Sequence, residues 1–261
     1  MELRNARALV TGAGRGVGAG IARSLASAGA SVAVCDLDGA TARATATEIA
    51  SLGVRAHWSE TDVSDEAQVQ AMIAEAAGAL GGLDVAVNTV AWIDPPGPVE
   101  TTPYERWRTG MRINLDSVFL CAKYELPHLR AAGEALLVNI SSINGTRGFP
   151  NRAVYGASKA AIINLTETLS MENRKYGVRA NCLVPGAVVG SVRRQIMREL
   201  AAREGTEFPL NDVVYDPPVR AVTEAEIGAY VVFLASDAGS VVNGQALRLG
   251  EAPRVGGQVL L

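Results

Sequence analysis

The chain has 261 residues and a formal net charge of −3, from 24 basic and 27 acidic side chains. Hydrophobic residues make up 48% of the chain and charged residues 20%, a composition that excludes a disordered or fibrous protein. The weak acidity excludes the basic surface that nucleic acid or an anionic membrane would attract, and no apolar run reaches the roughly 18 residues of a membrane span.

Short apolar runs alternate with longer helical segments along the chain. The runs predict strands over Ala6–Val10, Ser31–Cys35, Val54–Trp58, Leu83–Val87, Ala135–Ile140, Val178–Val184 and Gln245–Leu249. The segments between them predict helices over Val17–Ala28, Ala40–Leu52, Asp65–Leu80, Tyr104–Ala131, Val154–Tyr176 and Thr223–Ala235. Because strands that alternate with helices pair in parallel through right-handed crossovers, the pattern predicts an α/β fold. We expect a Rossmann-like, doubly wound parallel sheet of about seven strands with helices on both faces.

The organisation along the chain predicts a single dinucleotide-binding and catalytic domain over residues 1–261, since no linker interrupts it. Capping boxes are predicted at Asp65 with Gln68 and at Thr223 with Glu226. The least regular stretch, residues 190–220, combines an arginine-rich segment with a proline-rich one and is predicted to be a substrate flap.

Cysteine usage and the amino terminus predict a cytoplasmic protein. The cysteines Cys35, Cys121 and Cys182 are odd in number and far apart, so neither a disulfide framework nor a metal site is expected. Residues 1–5 lack the apolar core of a signal peptide.

A glycine-rich loop, residues 11–18, separates the first predicted strand from the first helix. Glycines there allow positive φ and a close approach of backbone amides to a pyrophosphate at the helix N-terminus. Asp36 ends the second predicted strand, where a carboxylate accepts hydrogen bonds from the adenosine ribose and repels a 2′-phosphate. The loop therefore predicts NAD rather than NADP. Arg15 has two interpretations, as a partner of a 2′-phosphate or as a solvated side chain.

A second group of residues indicates proton transfer. Tyr155 and Lys159 are four residues apart on a predicted helix and so share one face. A neighbouring ammonium stabilises a phenolate and lowers the pKa of the phenol towards the neutral range. Ser142 follows the strand that ends at Ile140, at the sheet edge where open α/β sheets bind ligands. Without Ser142, the pair would be interpreted as a surface pair on a helix.

Together these motifs resemble the short-chain dehydrogenase/reductase family, in its single-domain group, over nearly the whole chain. The motifs that carry the resemblance are Thr11–Gly18, Asp36, Asp62, Asn88, Asn114, Ser142, Tyr155 with Lys159, and Pro185 with Gly186.

The resemblance implies a hydride transfer between a nicotinamide and a carbinol or carbonyl carbon. Tyr155 would be the general acid or base, and Ser142 would hydrogen-bond the substrate oxygen. Lys159 would bind the nicotinamide ribose and lower the pKa of the tyrosine. Asn114 would hold a water of the proton relay through its backbone. Its alternative is a polar residue that bends a helix in the core.

The resemblance also implies a set of cofactor-binding positions: Gly12, Arg15, Gly16, Val17, Gly18, Asp36, Leu37, Asp62, Val63, Asn88, Tyr155, Lys159, Pro185, Gly186 and Val188. Asp62 could instead cap a helix. The chain departs from the family in three places: Thr89, Val90 and Ala91 replace the usual Asn-Ala-Gly after Asn88, Gly190 stands where a threonine is common, and the tail after Leu249 lacks the usual Asp-Gly-Gly turn.

The predicted substrate contacts are Ser142, Asn144, Phe149 and Trp92, although Trp92 could be a core residue. The predicted pocket wall is largely apolar and predicts a hydrophobic or cyclic small-molecule substrate; it consists of Trp92, Ile93, Asp94, Ile143, Asn144, Phe149 and Pro150. The two long helices resemble those at the family's dimer contact and imply a homotetramer or homodimer. We therefore expect an NAD-dependent dehydrogenase of secondary alcohols. The alternatives are an NADPH-dependent ketoreductase of natural-product biosynthesis, a cofactor-binding sensor without turnover, and a non-redox dehydration.

Overall fold

A computed structural model describes residues 3–189 and 221–250 of the chain. Its strands are β1 (Arg7–Thr11), β2 (Ser31–Asp36), β3 (Ala56–Glu60), β4 (Val85–Asn88), β5 (Ala135–Ile140), β6 (Val178–Pro185) and β7 (Ala246–Leu249). Its α-helices are α1 (Gly16–Ser27), α2 (Gly39–Ala50), α3 (Glu66–Leu80), α4 (Tyr104–Met111), α5 (Ser117–Ala132), α6 (Ala153–Asn173) and α7 (Glu224–Ala235). The predicted flap and the divergent tail from residue 251 onwards lie outside the described residues.

The strands pair in parallel, in the order β3-β2-β1-β4-β5-β6-β7 across the sheet. The order reverses between β1 and β4, because β1 has β2 on one side and β4 on the other. At such a switch point the loops after the two strands diverge and leave a crevice at the carboxyl edge. The predicted doubly wound parallel sheet is confirmed.

Alternation along each strand divides the core between the two faces of the sheet. Val10 belongs to one buried cluster, which also holds Leu25 of α1 and Val231 of α7. Its neighbour Leu9 belongs to the other cluster, with residues such as Leu129 of α5. Since both faces are covered by helices, the strands are continuously apolar, as their sequences predict.

Four of the observed strands extend past the predicted ones at their carboxyl ends. Thr11, Asp36, Asn88 and Pro185 each end a strand one residue beyond the apolar run. A pattern of apolar residues stops before Thr11, Asp36 and Asn88, because their side chains are polar. It stops before Pro185 because proline is unusual inside a strand. The third strand is also shifted, from Val54–Trp58 to Ala56–Glu60.

The long helix predicted over Tyr104–Ala131 is wrong in one respect. It is interrupted by a π-helical turn, Arg112–Asp116, between α4 and α5. The turn contains Asn114, whose buried side chain bonds outside the helix. Such π turns insert one residue into a helix and often mark functional sites.

The two predicted capping boxes have different outcomes. Thr223 and Glu226 form the complete reciprocal pair at the start of α7. At α3, the Asp65 carboxylate caps the helix by accepting from the backbone N–H of Gln68. The Gln68 side-chain oxygen accepts from the backbone N–H of Asp62 instead of that of Asp65. The predicted contact from the Gln68 side chain back to the Asp65 N–H is therefore wrong, because the Asp62 N–H takes the same oxygen.

The core also buries side chains that can ionise, three cysteines and a glutamate. Cys35, Cys121 and Cys182 are buried free thiols. Among the described residues, no helix is long and apolar enough to cross a membrane, and no group of three or more His, Cys, Asp or Glu residues forms a metal-binding cluster.

Glu125 of α5 is fully buried, and burial raises the pKa of its carboxyl to about 7.

We predict that Glu125 makes the stability of the fold decrease as the pH rises. Its pKa is higher in the folded chain than the ordinary 4.5, so its contribution is full below that value and is lost as the pH rises through about 7. At pH 8 Glu125→Gln should increase the free energy of unfolding, by at most about 3 kcal/mol, and at pH 5 by much less. Urea unfolding at both pH values measures the difference.

The matched control is Glu75→Gln, because Glu75 is an exposed residue of α3. It should change stability little at either pH. A Glu125→Gln effect of the same size at pH 5 and pH 8 would contradict the prediction.

Candidate active site

The glycine-rich loop turns sharply between β1 and α1. Gly12 and Gly16 have φ of 62° and 61°, a conformation that L side chains rarely adopt. A Cβ on Gly18 would overlap the carbonyl oxygen of Gly12, so the first turn of α1 packs directly on the loop. Within the described part of the chain, no side chain caps α1 at Arg15. The first backbone N–H groups are thus left for an anion such as a pyrophosphate.

Asp36 lies against this loop, as predicted. One carboxylate oxygen accepts from the backbone N–H of Gly14 at 2.9 Å, and the other accepts from that of Asp38 at 3.1 Å. Leu37 is 70% exposed beside it, and Arg15 is exposed on the loop. A carboxylate held at the loop, next to an exposed apolar side chain, fits the ribose and adenine end of a dinucleotide.

The next two predicted cofactor positions differ from each other. Asp62 is partly exposed, and its carboxylate accepts from the backbone and hydroxyl of Ser64, which lowers the pKa of Asp62. It closes a turn before α3, whereas the helix cap is Asp65. Val63 has its side chain in the core, so only its backbone is available to a ligand.

β4 ends at Asn88, and the segment from Thr89 to Ala91 follows it, next to the glycine loop. Asn88 is 2% exposed, with its amide bonded to Glu125 and Asn139, so its side chain is turned away from a ligand. Thr89, one of the departures from the family, donates its hydroxyl to the carbonyl oxygen of Thr11 at 2.6 Å. The threonine therefore ties the loop after β4 to the glycine loop.

Tyr155 and Lys159 lie on the same face of α6. The Lys159 Nζ is 5.7 Å from the centre of the Tyr155 ring and donates to the carbonyl oxygen of Ile140 at 2.9 Å. Burial lowers the pKa of Lys159 to about 8, an effect that the Cys182 thiol opposes. The structure therefore holds a lysine charge beside the phenol, at the carboxyl end of β5.

The segment after β5 packs directly against α6. The Ser141 hydroxyl donates to the Lys159 carbonyl oxygen at 2.7 Å, and a Cβ on Gly145 would lie 2.7 Å from the same oxygen. Between these two contacts, the Ser142 hydroxyl accepts from the backbone and the side-chain amide of Asn144, at 3.3 and 3.4 Å. The turn that holds Ser142 and Asn144 is thus packed on the backbone of α6 at Lys159.

Asn114 connects a third loop to the same helix. Its side-chain oxygen accepts from the Trp92 N–H at 2.6 Å, and its amide donates to the Trp92 carbonyl at 2.9 Å and to the Ser158 hydroxyl at 3.1 Å. The predicted role of Asn114 used its backbone, whereas the side chain has this additional role. Trp92 is half-buried, and its ring packs beside Gly110 of α4.

Two residues of the predicted pocket wall, Phe149 and Asp94, and the predicted cofactor position Val188 lie on other loops of the structure. Phe149 is half-buried under the Arg147 guanidinium, 5.0 Å from its ring centre. Asp94 is buried, which raises the pKa of its carboxyl, and its backbone carbonyl accepts from Arg152 at 3.2 Å. Val188 forms a bridge with Val222 that joins the two sides of the 190–220 segment.

The sequence interpretation missed several residues that support the site. Gly145 brings the Ser142 turn onto α6, while Asn139, Thr166 and Glu125 form buried polar contacts below the edge. A polar residue inside an apolar strand, as at Asn139, or on the buried face of a helix, as at Glu125, was the signal that could have found them.

Known proteins resemble this chain over most of its length. A family model described as enoyl-(acyl carrier protein) reductase matches residues 12–249. The cis-4-hydroxycyclohexanecarboxylate dehydrogenase of Sinomonas cyclohexanicum is 37% identical over 245 residues, which cover 92% of this chain and 93% of that protein. The 2,5-dichloro-2,5-cyclohexadiene-1,4-diol dehydrogenase of Sphingobium indicum is 34% identical over 240 residues, with 92% and 93% covered. A crystal structure of NAD⁺-bound xylitol dehydrogenase superimposes with a TM-score of 0.86 at 26% identity, covering 96% of this chain and 99% of that one.

We predict that Asn114→Ala loosens the Trp92 loop. The substitution leaves the backbone N–H and carbonyl of Trp92 without their partners, so the free energy of unfolding should fall by about 2–4 kcal/mol. Acrylamide quenching of Trp92 fluorescence should increase in the folded protein. The measurement uses a W58F/W107F background, in which Trp92 is the remaining one of the three tryptophans.

The control is Asn173→Ala, because Asn173 is an equally buried asparagine whose amide bonds to the Leu169 carbonyl of its own helix. It should destabilise the protein without changing the quenching. Equal quenching of Trp92 in both variants would show that Asn114 does not hold the loop.

Proposed function

The chain belongs to the short-chain dehydrogenase/reductase family of oxidoreductases, and we propose that it transfers a hydride between NAD(H) and a secondary alcohol or ketone on a hydrophobic or cyclic substrate. The observation that carries the proposal is the packing of the Ser142 turn, at the carboxyl end of β5, on the helix that bears Tyr155 and Lys159. Ser141 and Gly145 pack that serine turn onto the backbone of Lys159, four residues from Tyr155. A hydroxyl, a phenol and an ammonium there form a proton-transfer site.

The cofactor assignment rests on the loop after β1 and on Asp36. When bound, a nicotinamide ring accepts the hydride in oxidation or gives it in reduction. The N-terminus of α1 would hold the pyrophosphate, and the Asp36 carboxylate would accept from the ribose hydroxyls. Leu37 would cover the adenine. The NAD⁺-bound state of the similar xylitol dehydrogenase supports NAD over NADP.

The chemistry at the substrate oxygen comes from this chain's own side chains. In oxidation, the Ser142 hydroxyl binds the alcohol oxygen while Tyr155 takes its proton, and in reduction Tyr155 returns that proton to the carbonyl oxygen. The Lys159 ammonium, buried beside the phenol, favours the phenolate and would bind the nicotinamide ribose. Asn114 holds a water of the proton relay through its backbone and fixes the Trp92 loop through its side chain.

The substrate class follows from the residues around this edge and from the relatives. Trp92 and Phe149 are half-buried aromatic side chains on neighbouring loops, and Asn144 adds an amide next to Ser142. Two of the similar proteins are named for alcohols of six-membered rings. We therefore propose a cyclic secondary alcohol as the substrate, with the 190–220 segment as its flap in a single domain.

Exposed apolar residues on α4, α5 and α6 support the assembly expected from the sequence. They are Tyr104, Trp107, Phe119 and Met171. Large apolar side chains that protrude from long neighbouring helices favour association with a second copy of the chain. We propose a homodimer or homotetramer through these helices, in the cytoplasm.

We predict that Tyr155→Phe abolishes turnover without abolishing cofactor binding. Removing the general acid or base should lower kcat by about 10²–10⁴-fold, because the substrate proton then has no acceptor at that position. The assay follows NADH formation with cis-4-hydroxycyclohexanecarboxylate and other cyclic secondary alcohols, and calorimetry measures the Kd for NADH.

Tyr124→Phe is the control, since Tyr124 is a tyrosine of α5 whose hydroxyl bonds to exposed Glu66. It should leave kcat unchanged. Undiminished turnover in Tyr155→Phe would refute the mechanism and favour a non-redox role or another base.

We predict that Asp36→Ala reverses the choice of cofactor. Loss of the carboxylate removes the ribose acceptor and the repulsion of a 2′-phosphate, so the Kd for NADH should rise about 10–100-fold while NADPH binds more tightly. Titration calorimetry with both cofactors measures the change. Asp38→Ala is the control, because Asp38 caps α2 and should affect stability alone.

Tight NADPH binding by the wild type, unaffected by Asp36→Ala, would contradict this prediction. It would assign the 2′-phosphate to exposed Arg15 and favour the alternative function, an NADPH-dependent ketoreductase. Binding of a cofactor with no turnover of any alcohol or ketone would favour a sensor.

A further inference from the structure

A row of buried polar side chains crosses the sheet just below the site. Thr11 ends β1 opposite Asn88 of β4, and Asn88 in turn lies opposite Asn139 of β5. All three are almost completely buried, at 1%, 2% and 0% exposure. They occupy neighbouring register positions on three strands, at the level where the glycine loop begins.

On the side of the glycine loop, each hydrogen bond through the Thr11 hydroxyl is donated towards Asn88. The Thr89 N–H donates to the Thr11 hydroxyl at 3.3 Å, and that hydroxyl donates to the Asn88 side-chain oxygen at 3.4 Å. The Thr89 hydroxyl donates to the carbonyl oxygens of Thr11 and Gly12, at 2.6 and 3.3 Å. The orientation of the Asn88 amide is therefore linked to the backbone that begins the glycine loop.

On the other side, the row continues to the helix of the proton-transfer residues. Asn88 donates to the Asn139 side-chain oxygen at 3.1 Å, and Asn139 donates to the Thr166 hydroxyl at 2.9 Å. The Thr166 hydroxyl donates to the Ile162 carbonyl of α6 at 2.7 Å. Because that hydroxyl uses its proton on α6, it accepts from Asn139, and the Asn139 side-chain oxygen is left facing the Asn88 amide.

Glu125 enters the row from α5 and takes the second hydrogen of the Asn88 amide, at 3.0 Å. The titratable groups that face it are the thiols of Cys121, on its own helix, and Cys35, on β2. Within the part of the chain that the structure describes, its other oxygen has no hydrogen-bond partner. A buried carboxyl of this kind lowers stability relative to a well-packed apolar residue, so packing does not explain a glutamate there.

We propose that Glu125 is a positioning residue for the cofactor: as the second acceptor of the Asn88 amide, it keeps the Asn88 oxygen turned to Thr11 and so maintains the start of the glycine loop. The inference rests on the proposed function, because it needs a dinucleotide on that loop. Without this acceptor, one amide hydrogen of Asn88 is buried and unpaired. The Asn88 side chain then shifts from its place in the row, and the contacts of Thr11 with Thr89 and Asn88 loosen.

The test separates cofactor affinity from stability. Glu125→Leu removes the acceptor at similar volume and should raise the Kd for NADH about tenfold, as expected for the loss of a hydrogen bond to a charged group. The same variant should unfold at no lower temperature than the wild type at pH 8, because it also removes a buried carboxyl. Glu125→Gln keeps an acceptor oxygen and should restore the affinity.

Leu129→Ala is the matched control, because Leu129 is a fully buried residue one helical turn further along α5 and belongs to the apolar core. It should lower the unfolding temperature and leave the Kd for NADH unchanged. If Glu125→Leu gives no folded protein, Glu125→Met is used in its place. If Glu125→Leu lowers the unfolding temperature together with the affinity, and Glu125→Gln restores neither, the role of Glu125 is structural and the inference is wrong.

The outcomes distinguish the inference from the function on which it depends. If the wild type binds NADH, or NADPH in its place, and Glu125→Leu binds it equally well, the positioning role is wrong while the proposed function stands. If the wild type binds neither dinucleotide, the proposed function fails and the inference fails with it.

Discussion

The site depends on the parallel register of β1, β4 and β5, which brings the last residues of the strands to one edge of the sheet. Parallel strands all end at the same side, so the loops that follow them converge without any direct contact in sequence. The glycine loop follows β1, the Thr89 segment follows β4, and Ser142 follows β5. A shift of one residue in any of these pairings would turn Thr11, Asn88 or Asn139 to the opposite face.

Buried side-chain hydrogen bonds then hold these loops to one another and to α6. Asn114 binds both backbone groups of Trp92, and Ser141 binds the carbonyl of Lys159. Such bonds are strong in a low-dielectric interior, and each leaves an unpaired buried group when it is broken. The edge of the sheet is therefore rigid where Lys159 and Ser142 lie, although its residues come from loops. Glu125 and Lys159 are buried ionisable groups below this edge, and burial raises the pKa of Glu125 and lowers that of Lys159.

The departure from the family after Asn88 has a physical explanation in this chain. The usual asparagine is replaced by Thr89, whose hydroxyl binds the carbonyl oxygens of Thr11 and Gly12. The loop still reaches the glycine loop, but through a hydroxyl in place of an amide. The side chain of Asn88 lies in the buried row of polar residues. The family resemblance places Asn88 at the cofactor, but here its side chain lies below the cofactor loop. The backbone after Asn88 therefore lies at the site, whereas the Asn88 side chain makes hydrogen bonds inside the sheet.

Periodicity, turn residues and motif spacing were sufficient for the parallel α/β fold, for the glycine loop with Asp36, and for Tyr155 with Lys159, because these depend on neighbours within a few residues or one crossover unit. The ends of the strands at Thr11 and Asn88, the π turn at Asn114 and the second partner of Gln68 could not be predicted. Each is decided by a hydrogen bond to a residue 20 or more positions away, or by competition between two backbone N–H donors for one side-chain oxygen. The placement of Glu125 under Asn88 is of the same kind: helix periodicity assigns it to the buried face of α5, but only the tertiary structure supplies the amide that makes a carboxyl there functional.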